Sequence, residues 1–272
     1  MRRTPEVKGW LKNPERRERR EQPMTLIDRH VMQLIESIER MEEYTKLDHR
    51  YDRLIRMRDK ALIAQAWIFF KRANENLRVK LKDVYYDRSE LMITFHVRKK
   101  GRKRKICPVC GEENAGKALF CKKCGSSIRD VEPKTIWPPE ITVTKRKSLE
   151  YPFCHYVVDW VEAYRKIAPS LDAFLYPSFT FKVAGNLVIQ GFNYYKHITV
   201  DRFNQILQRL DPTLTSHMFR YGHTEKLLRL GYTPHELKEI GDWESSRMPE
   251  IYAKRKGLTK PQKEFSRDIR MI

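Results

Sequence analysis

Apolar residues recur every three to four positions over much of the chain, which is the spacing of an α-helix with one buried face. The first such run predicts an amphipathic helix whose buried face would carry Ile27, Val31, Leu34, Ile35, Ile38 and Met41. Residues 59–71 are apolar enough to predict a buried helix, with inward positions at Leu62, Ile63, Trp67 and Phe70. The same spacing predicts further helices after Pro152 and over 199–210.

Two shorter segments change to an alternation of apolar and polar residues. Residues 91–98 alternate and are rich in β-branched and aromatic types, which predicts a β-strand. Residues 141–146 predict a second strand on the same grounds. Pro169 and Pro177 predict a loop between two helices. We therefore expect a mainly α-helical protein of the α+β class with a small sheet.

The charge of the chain indicates the kind of partner it binds. Its 272 residues carry a formal net charge of +20 at pH 7, which predicts a polyanionic partner, with nucleic acid favoured. No apolar run is long enough to span a membrane and no cleavable signal peptide is visible, so we expect a cytoplasmic, nucleoid-associated protein without a membrane partner. Residues 1–23 mix charged residues with proline and predict a basic flexible tail.

Four of the five cysteines form two C-x2-C pairs, Cys107 with Cys110 and Cys121 with Cys124. A glycine follows each pair, and two such pairs place four thiolates for a tetrahedral structural zinc ion. A segment this short hardly folds without its metal, so we predict a zinc ribbon. The alternative, a redox C-x-x-C, would be single and would lie in a βαβ unit. Cys154 is expected to be a small buried residue.

The C-terminal third carries the best candidates for chemistry. His217 and Arg220 are three residues apart and share one face of a helical turn, where an imidazole and a guanidinium can meet one phosphate. Gly231 ends this helix, and the sequence Thr-Pro-His-Glu at 233–236 predicts the capped start of a second short helix. Trp243 follows Arg220 by 23 positions, and Tyr252 follows Trp243 by 9.

In order, type and interval, these residues resemble the tyrosine recombinase (phage integrase) family. Its motif runs His-x-x-Arg, then Gly-His or Gly-Trp, then the nucleophilic tyrosine. Trp243, preceded by Asp242, stands where most members carry histidine. The resemblance covers about residues 56–100 and 141–260, and it is closest to an archaeal-type site-specific recombinase with a zinc-ribbon insertion. It implies a helical catalytic domain whose small sheet is antiparallel.

The resemblance extends to an earlier part of the chain. Arg72 matches the first catalytic arginine of the family by its context, and Glu75 matches the acidic residue that orients the site. A leucine-rich turn into a strand follows, as in the family. The Thr-Gly that usually precedes this arginine is replaced here by Phe70 and Lys71.

The resemblance also implies a catalytic lysine in a Lys-Gly context between two strands. Lys100, followed by Gly101, is the nearest match, and Lys99, Lys103 and Lys145 remain alternatives. A lysine suits the protonation of a leaving 5′ oxygen because nearby arginines lower its pKa.

The chemistry implied by the resemblance is phosphoryl transfer to and from a tyrosine on double-stranded DNA. Tyr252 would attack a phosphate, leaving a 3′-phosphotyrosyl link and a free 5′ hydroxyl, which a partner strand then attacks. Arg72 and Arg220 would bind the nonbridging oxygens, His217 and the indole N–H of Trp243 would add hydrogen bonds, and the lysine would be the general acid. Neither a catalytic metal nor a nucleotide is expected. The acting species would be a homo-oligomer, a tetramer, on synapsed DNA sites.

We divide the chain into the tail at 1–23, a short N-terminal helical region at 24–55 and a catalytic domain at 56–272. The domain is interrupted by the zinc ribbon at about 101–140. The N-terminal region is far shorter than the DNA clamp that family members usually carry. The basic residues around the cysteines therefore suggest that the ribbon takes over part of the grip on DNA.

Two other functions remain open from the sequence. A type IB topoisomerase would use the same residues to relax supercoils without exchanging strands. A zinc-ribbon DNA-binding protein derived from a recombinase would bind DNA without cleaving it.

Overall fold

The computed structural model of the protein describes residues 26–42, 44–45, 47, 49–98, 101–184 and 187–255, with the main chain alone at 181–184, 187–190 and 255. Its helices are α1 (Asp28–Arg40), α2 (His49–Phe69), α3 (Ala73–Leu77), α4 (Cys154–Arg165), α5 (Val200–Leu210), α6 (Ser216–Arg229), α7 (Pro234–Ile240) and α8 (Arg247–Arg255). Its strands are β1 (Val84–Tyr86), β2 (Glu90–Val97), β3 (Arg102–Ile106), β4 (Glu113–Ala115), β5 (Lys134–Ile136), β6 (Ile141–Ser148), β7 (Pro177–Ala184) and β8 (Leu187–His197).

The long helix α2 forms the centre of the fold. Its middle is buried on every side, from Ala61 to Phe69, because α1, α4 and α6 all pack against it. Trp67 is fully buried, and its indole N–H donates to Asp28 at the start of α1 over 2.7 Å. The buried helix predicted at 59–71 is confirmed, although the helix begins ten residues earlier and ends before Phe70.

The main sheet is antiparallel, with the strand order β1-β2-β6. Alternate residues of β2 are buried, namely Leu91, Ile93, Phe95 and Val97, so one face of the sheet covers the helical core. The two predicted strands are β2 and β6, and they pair with Ile93 opposite Lys145. Residues 101–140, which we call the four-cysteine insertion, lie between these two strands and contain a second antiparallel sheet, β4-β3-β5.

Helix α1 has the predicted amphipathic character with one exception. Val31, Leu34, Ile35 and Ile38 are buried, but Ile27 is 44% exposed, so its predicted burial is wrong. Ile27 is the residue before the helix and has an extended main chain, which takes its side chain out of the helical phase. The buried residues of α1 belong to the same core as those of α2 and the main sheet.

The loop predicted at Pro169 and Pro177 is confirmed at residues 166–176, between α4 and β7, but the hairpin that begins at Pro177 was not predicted. A two-stranded antiparallel sheet formed by β7 and β8 follows Pro177, and the hairpin pairs Phe179 with Phe192. The alternating run from Phe179 to Val183 and the Gly185-Asn186 pair in the sequence are typical of a hairpin and were overlooked. Phe192 packs edge-on against Phe179 at 5.3 Å between ring centroids, which ties the hairpin to the core.

The C-terminal helices follow the sequence prediction closely. Gly231 ends α6 with φ +91°, a conformation that glycine adopts without strain. Thr233 and Glu236 form a reciprocal capping box at the start of α7: each side chain accepts the other's main-chain N–H, at 3.2 and 2.7 Å. Tyr252 lies on α8, the last described helix.

Helix α2 runs through the boundary that we place between residues 55 and 56, and the division of the chain into domains stays a prediction. No helix in the described ranges combines the length and the apolar character needed to cross a lipid bilayer.

Candidate active site

Arg220 lies at the meeting point of three separate parts of the chain. It projects from α6 and is only 2% exposed. Its guanidinium donates to the carbonyl oxygen of Phe70 at 3.0 Å and to that of Gly241 at 2.8 Å. The guanidinium carbon also lies 3.9 Å from the centroid of the Trp243 ring, close enough for a cation–π contact. These contacts hold the planar group in one orientation.

Two residues near Arg220 in space have a strained main chain. Phe70 has φ +37° and Asp242 has φ +51°, and among the described residues no others except glycines have positive φ. Such conformations are costly and persist only where the surroundings fix them. Phe70 supplies one of the two carbonyl groups that accept from Arg220, and Asp242 directly follows Gly241, which supplies the other. The arginine therefore helps to hold the turn after α2 and the turn after α7 in place.

Arg72 and Glu75 form the second part of the site, at the start of α3. The carboxylate of Glu75 accepts the main-chain N–H of Arg72 at 3.1 Å and its guanidinium at 2.8 Å. Glu75 is buried, whereas the Arg72 side chain is 49% exposed. The acidic residue thus fixes the arginine while its guanidinium remains open to solvent and to a ligand.

An aromatic row connects His217 with Tyr252. The rings of His217 and Tyr221 meet edge-on at 4.5 Å between centroids, and those of Tyr221 and Tyr252 meet edge-on at 4.6 Å. Tyr252 is 7% exposed and belongs to a small apolar cluster with Phe70 and Trp243. The predicted nucleophile therefore lies beside the segments that surround Arg220.

The charges of these residues act on one another. Burial lowers the pKa of Arg220 to about 10, and the positive charge of Arg72 adds to this effect, whereas Glu75 and Tyr252 oppose it. Desolvation, followed by the charges of Arg220 and Arg72, lowers the pKa of His217. The structure thus brings Arg72, His217, Arg220 and Tyr252 together with Trp243.

Among the predicted lysines, Lys145 on β6 reaches the site. Its ammonium donates to the carbonyl oxygen of Ile240 at 3.0 Å and to the carboxylate of Asp242 at 3.1 Å. Desolvation and the charge of Arg220 lower its pKa. Lys103 is exposed on β3 in the four-cysteine insertion, while Lys99 and Lys100 lie outside the described residues. The role predicted for Lys100 thus stays a prediction.

The sequence analysis did not assign a role to Lys71 or Asp242, which also lie in this site. The Lys71 ammonium is fully buried and forms an ion pair with the second carboxylate oxygen of Asp242. Burial, followed by the charge of Lys145, lowers the pKa of Lys71 to about 7, while the charge of Glu75 opposes this shift. The ion pair with Asp242 also favours the charged form of Lys71. The only signal in the sequence was that both residues depart from the family motif.

Two solved structures resemble this chain in their fold. A crystal structure of the XerH site-specific recombinase bound to difH substrate, a pre-cleavage complex, matches 85% of this chain with a TM-score of 0.50 and 14% sequence identity. A post-cleavage complex of the same recombinase with a palindromic difH substrate gives the same values. The chain has a tyrosine recombinase-like fold. It covers 50% of the length of each XerH chain.

At 14% identity, the likeness shows the recombinase-like fold alone. No protein-family model matches the sequence. The comparison with curated proteins likewise finds no match.

The four-cysteine insertion gives this recombinase-like fold a second candidate site. The sulfur atoms of Cys107, Cys110, Cys121 and Cys124 all lie within 4.8 Å of one another. Two of the separations, Cys107 to Cys124 and Cys110 to Cys121, are 3.6 Å. Four thiolates about 2.3 Å from a zinc ion would lie roughly 3.8 Å apart, so the cluster fits a tetrahedral metal. Cys154, as predicted, is buried in the main core.

The main chain around the cysteines is also shaped for a metal. Gly111 and Gly125 have φ +71° and +74°, which lets each C-x2-C-Gly segment turn tightly. Their N–H groups donate to the carbonyl oxygens of Cys107 and Cys121 at 2.9 and 3.0 Å. The N–H of Lys123 points to the sulfur of Cys121 at 3.4 Å, the kind of contact that stabilises a thiolate ligand.

The basic residues of the four-cysteine insertion do not all face outward. Lys105 is buried, and its ammonium donates to the carbonyl oxygens of Ile128 and Arg129, so it holds a turn and is unavailable to DNA. Arg104 and Lys122 form ion pairs with glutamates of the same insertion. The remaining basic side chains of this segment that are exposed include Arg102, Lys103, Lys117 and Lys123.

Proposed function

We propose that this protein cleaves and rejoins DNA strands through a covalent link between Tyr252 and a 3′ phosphate. The observation that carries the proposal is the convergence of Arg72, His217 and Tyr252 on the buried Arg220, with the Arg72 side chain half-exposed. Burial is the main cause of the lowered pKa of Arg220, and repulsion from the charge of Arg72 adds to it, although Glu75 pairs with Arg72. A phosphodiester placed between the two arginines would relieve this repulsion and accept hydrogen bonds from both.

In the proposed reaction the Tyr252 oxygen attacks phosphorus and the bond to the 5′ oxygen breaks. The tyrosine proton passes to water, a phosphotyrosyl bond forms, and the 5′ oxygen takes a proton from a general acid. Arg72 and Arg220 stabilise the charge that builds up on the nonbridging oxygens. Attack by a 5′ hydroxyl reverses these steps and restores a phosphodiester, so the energy of the broken bond is conserved.

We assign the general acid to Lys145 among the described lysines. Its side chain is 24% exposed, and its ammonium is held at Asp242, the residue before Trp243. Desolvation and Arg220 make its proton easier to give up. Lys100 remains the competing candidate. Replacing each lysine in turn with methionine shows which of them is the general acid.

Site-specific recombination between two DNA sites, on a synapsed tetramer, is the biological role that we favour. Its support is the recombinase-like fold together with the net charge of +20. The compared proteins are site-specific recombinases on DNA substrates, but this chain matches only half of their length. We therefore infer how this chain grips DNA from its own residues.

We propose that the four-cysteine insertion supplies part of that grip and that its cysteines hold one structural zinc ion. Zinc with four thiolate ligands has no open position for water, so its contribution would be to stabilise the fold of the insertion. The exposed side chains of Lys103, Lys117 and Lys123 would then face phosphates.

The decisive experiment is a covalent trap. The protein is incubated with a nicked duplex library that has a randomised central sequence, in which cleavage near the nick releases a short fragment and prevents rejoining. We expect a denaturation-resistant DNA adduct on Tyr252, located by peptide mass spectrometry. If DNA is bound but no adduct forms, a non-catalytic DNA-binding protein is the better interpretation.

A second assay separates recombination from topoisomerase activity. The DNA sequence recovered from the covalent trap is cloned in two copies into one supercoiled plasmid, and a second plasmid lacks it. Each plasmid is incubated with the protein. Recombination predicts exchange between the two copies only. Efficient relaxation of the plasmid without the sequence would favour a type IB topoisomerase.

A further inference from the structure

Two departures from the family motif contact each other in this protein. Lys71 stands where the motif has the glycine before its first arginine, and Asp242 stands where it has the glycine before its histidine or tryptophan. They are far apart in the sequence, yet the Lys71 ammonium and the Asp242 carboxylate form an ion pair. Without Asp242, Lys71 would be a buried charge that has lost its ion-pair partner beside the arginines. The contact between Lys71 and Asp242 indicates that the two positions work together.

Asp242 has a second cationic partner. One carboxylate oxygen contacts Lys71, and the other accepts from the ammonium of Lys145 at 3.1 Å. The same ammonium also donates to the carbonyl oxygen of Ile240 at 3.0 Å. Two acceptors on the turn after α7 therefore fix the direction of a lysine that projects from β6.

The turn itself is held in place from the opposite side. Arg220 donates to the carbonyl oxygen of Gly241, directly before Asp242, and to that of Phe70, directly before Lys71. The guanidinium and the ion pair thus clamp the same two segments. The positive φ of Asp242 shows that these contacts hold its main chain in an unfavourable region.

The charges explain why both partners are needed. A single carboxylate could orient Lys145, but it would also repel a phosphate bound at Arg220. The fully buried Lys71 cancels that negative charge without occupying the space of the substrate, because it reaches Asp242 from the core side beside Phe95. The net charge of the site therefore remains positive.

We propose that Asp242 and Lys71 are positioning residues for strand cleavage: Asp242 orients the ammonium of Lys145 towards the leaving oxygen, and Lys71 neutralises Asp242. The inference rests on the proposed function, in which Lys145 is the general acid. It differs from a purely structural role for the ion pair, which would hold the fold together without any specific effect on proton transfer.

A sulfur substitution in the DNA distinguishes these roles. In a substrate whose scissile 5′ oxygen is replaced by sulfur, the tyrosine oxygen forms the same bond to phosphorus and the bond from phosphorus to sulfur breaks. A thiol has a pKa of about 8.5, so the sulfur leaves as a thiolate and needs no general acid. Defects in proton donation disappear on this substrate, whereas defects in folding or phosphate binding remain.

The main variant is Asp242→Asn, which removes the charge and tolerates the positive φ. On a trapped DNA sequence with its natural oxygen we expect single-turnover cleavage about a hundredfold slower than that of the parent protein. With sulfur at the same position we expect a rate close to the parent's. Because Asp242→Asn leaves Lys71 buried without its partner, the double variant Lys71→Met/Asp242→Asn is measured as well, and we expect the same pattern.

Lys71 is tested by its effect on binding. Lys71→Met alone leaves the Asp242 charge uncancelled, so it should weaken non-covalent binding of the same duplex, and the double variant should restore binding. Glu239→Gln is the matched control, because it removes an exposed carboxylate whose charge also acts on Lys145. That control should cleave and bind like the parent.

The outcomes separate the inference from the proposed function. Normal cleavage by Asp242→Asn and the double variant, or an equal loss on the oxygen and sulfur substrates, overturns the inference and leaves the Tyr252 chemistry intact. Equal binding by Lys71→Met and the double variant overturns the role of Lys71. If the parent protein forms no adduct with either substrate, the proposed function fails, and the inference fails with it.

Discussion

The guanidinium of Arg220 lies over the ring of Trp243: its central carbon is 3.9 Å from the centroid of the indole ring. The carbonyl oxygens of Phe70 and Gly241 accept hydrogen bonds from two nitrogens of the same guanidinium. Trp243, which we propose as a hydrogen-bond donor to the phosphate, therefore also contacts the guanidinium directly. It fixes the plane in which the arginine can offer its remaining N–H groups to a phosphate.

This arrangement predicts that Arg220→Lys abolishes most cleavage although the charge is kept. A lysine ammonium can neither lie flat on the indole ring nor bridge two carbonyl groups and a phosphate. Losing one such contact to the transition state costs on the order of 3–4 kcal/mol, which is about two to three decades in the single-turnover cleavage rate.

The control for Arg220→Lys is Arg229→Lys on the same helix. Arg229 is more than half exposed and pairs with Glu225, four residues away. The Arg229→Lys variant should cleave at the parental rate. Cleavage by Arg220→Lys within a few fold of that rate would remove Arg220 from the reaction.

Tyr252→Phe should eliminate the covalent adduct while leaving non-covalent DNA binding within a few fold of the parent. Only the attacking oxygen is lost, and the apolar contacts of the ring with its cluster remain. The measurement is the covalent trap with a gel-shift assay on the same duplex. Tyr221→Phe is the matched control, since the Tyr221 ring packs against Tyr252 and Tyr221 is the nearest alternative nucleophile along the aromatic row. An adduct that survives in Tyr252→Phe but not in Tyr221→Phe would reassign the nucleophile.

The general acid should reveal itself in the pH profile of cleavage. Lys145 donates a proton only while it is charged, and its pKa lies below the usual 10.5 of lysine. The rate should therefore fall with rising pH at a point below 10.5, and it should not fall there for the substrate with sulfur at the leaving position. Lys145→Met should be slow on the oxygen substrate at every pH and should recover with sulfur. If Lys100→Met behaves in this way and Lys145→Met does not, the assignment passes to Lys100.

Removing two cysteines tests the role of the four-cysteine insertion. Cys121→Ser/Cys124→Ser should lose one zinc ion per chain by elemental analysis and bind DNA about tenfold more weakly, or about 1.4 kcal/mol. Cleavage at saturating protein should be largely retained. Because fewer phosphates would be neutralised, the dependence of binding on salt should also become less steep, by about 0.9 in the log–log slope per lost contact.

Cys154→Ala is the control for this prediction, because Cys154 lies in the main core, away from the other four cysteines. It should keep its zinc content and its DNA affinity. Undiminished affinity in the double serine variant would refute the grip on DNA. Normal binding without cleavage would mean that the insertion instead supports the strand that carries Lys145.

The sequence by itself determined the features that depend on neighbouring residues. The spacing of His217 and Arg220 places them on one helical face, and the capping box at Thr233 defines the start of α7, because helix geometry links residues three or four apart. The two cysteine segments are equally local, since each turns at its own glycine. These motifs were enough to predict the recombinase-like fold.

Only the tertiary structure decided which distant residues meet in the site. Arg220 donates to Phe70, 150 residues earlier, and Lys145 donates to Asp242, 97 residues later. No periodicity reports such contacts, because they depend on how α2, α6 and β6 pack around the shared core. The same packing brings together Lys71 and Asp242, the two residues that depart from the motif, and they form an ion pair. A buried charge requires a partner, and the position of that partner is fixed by the fold.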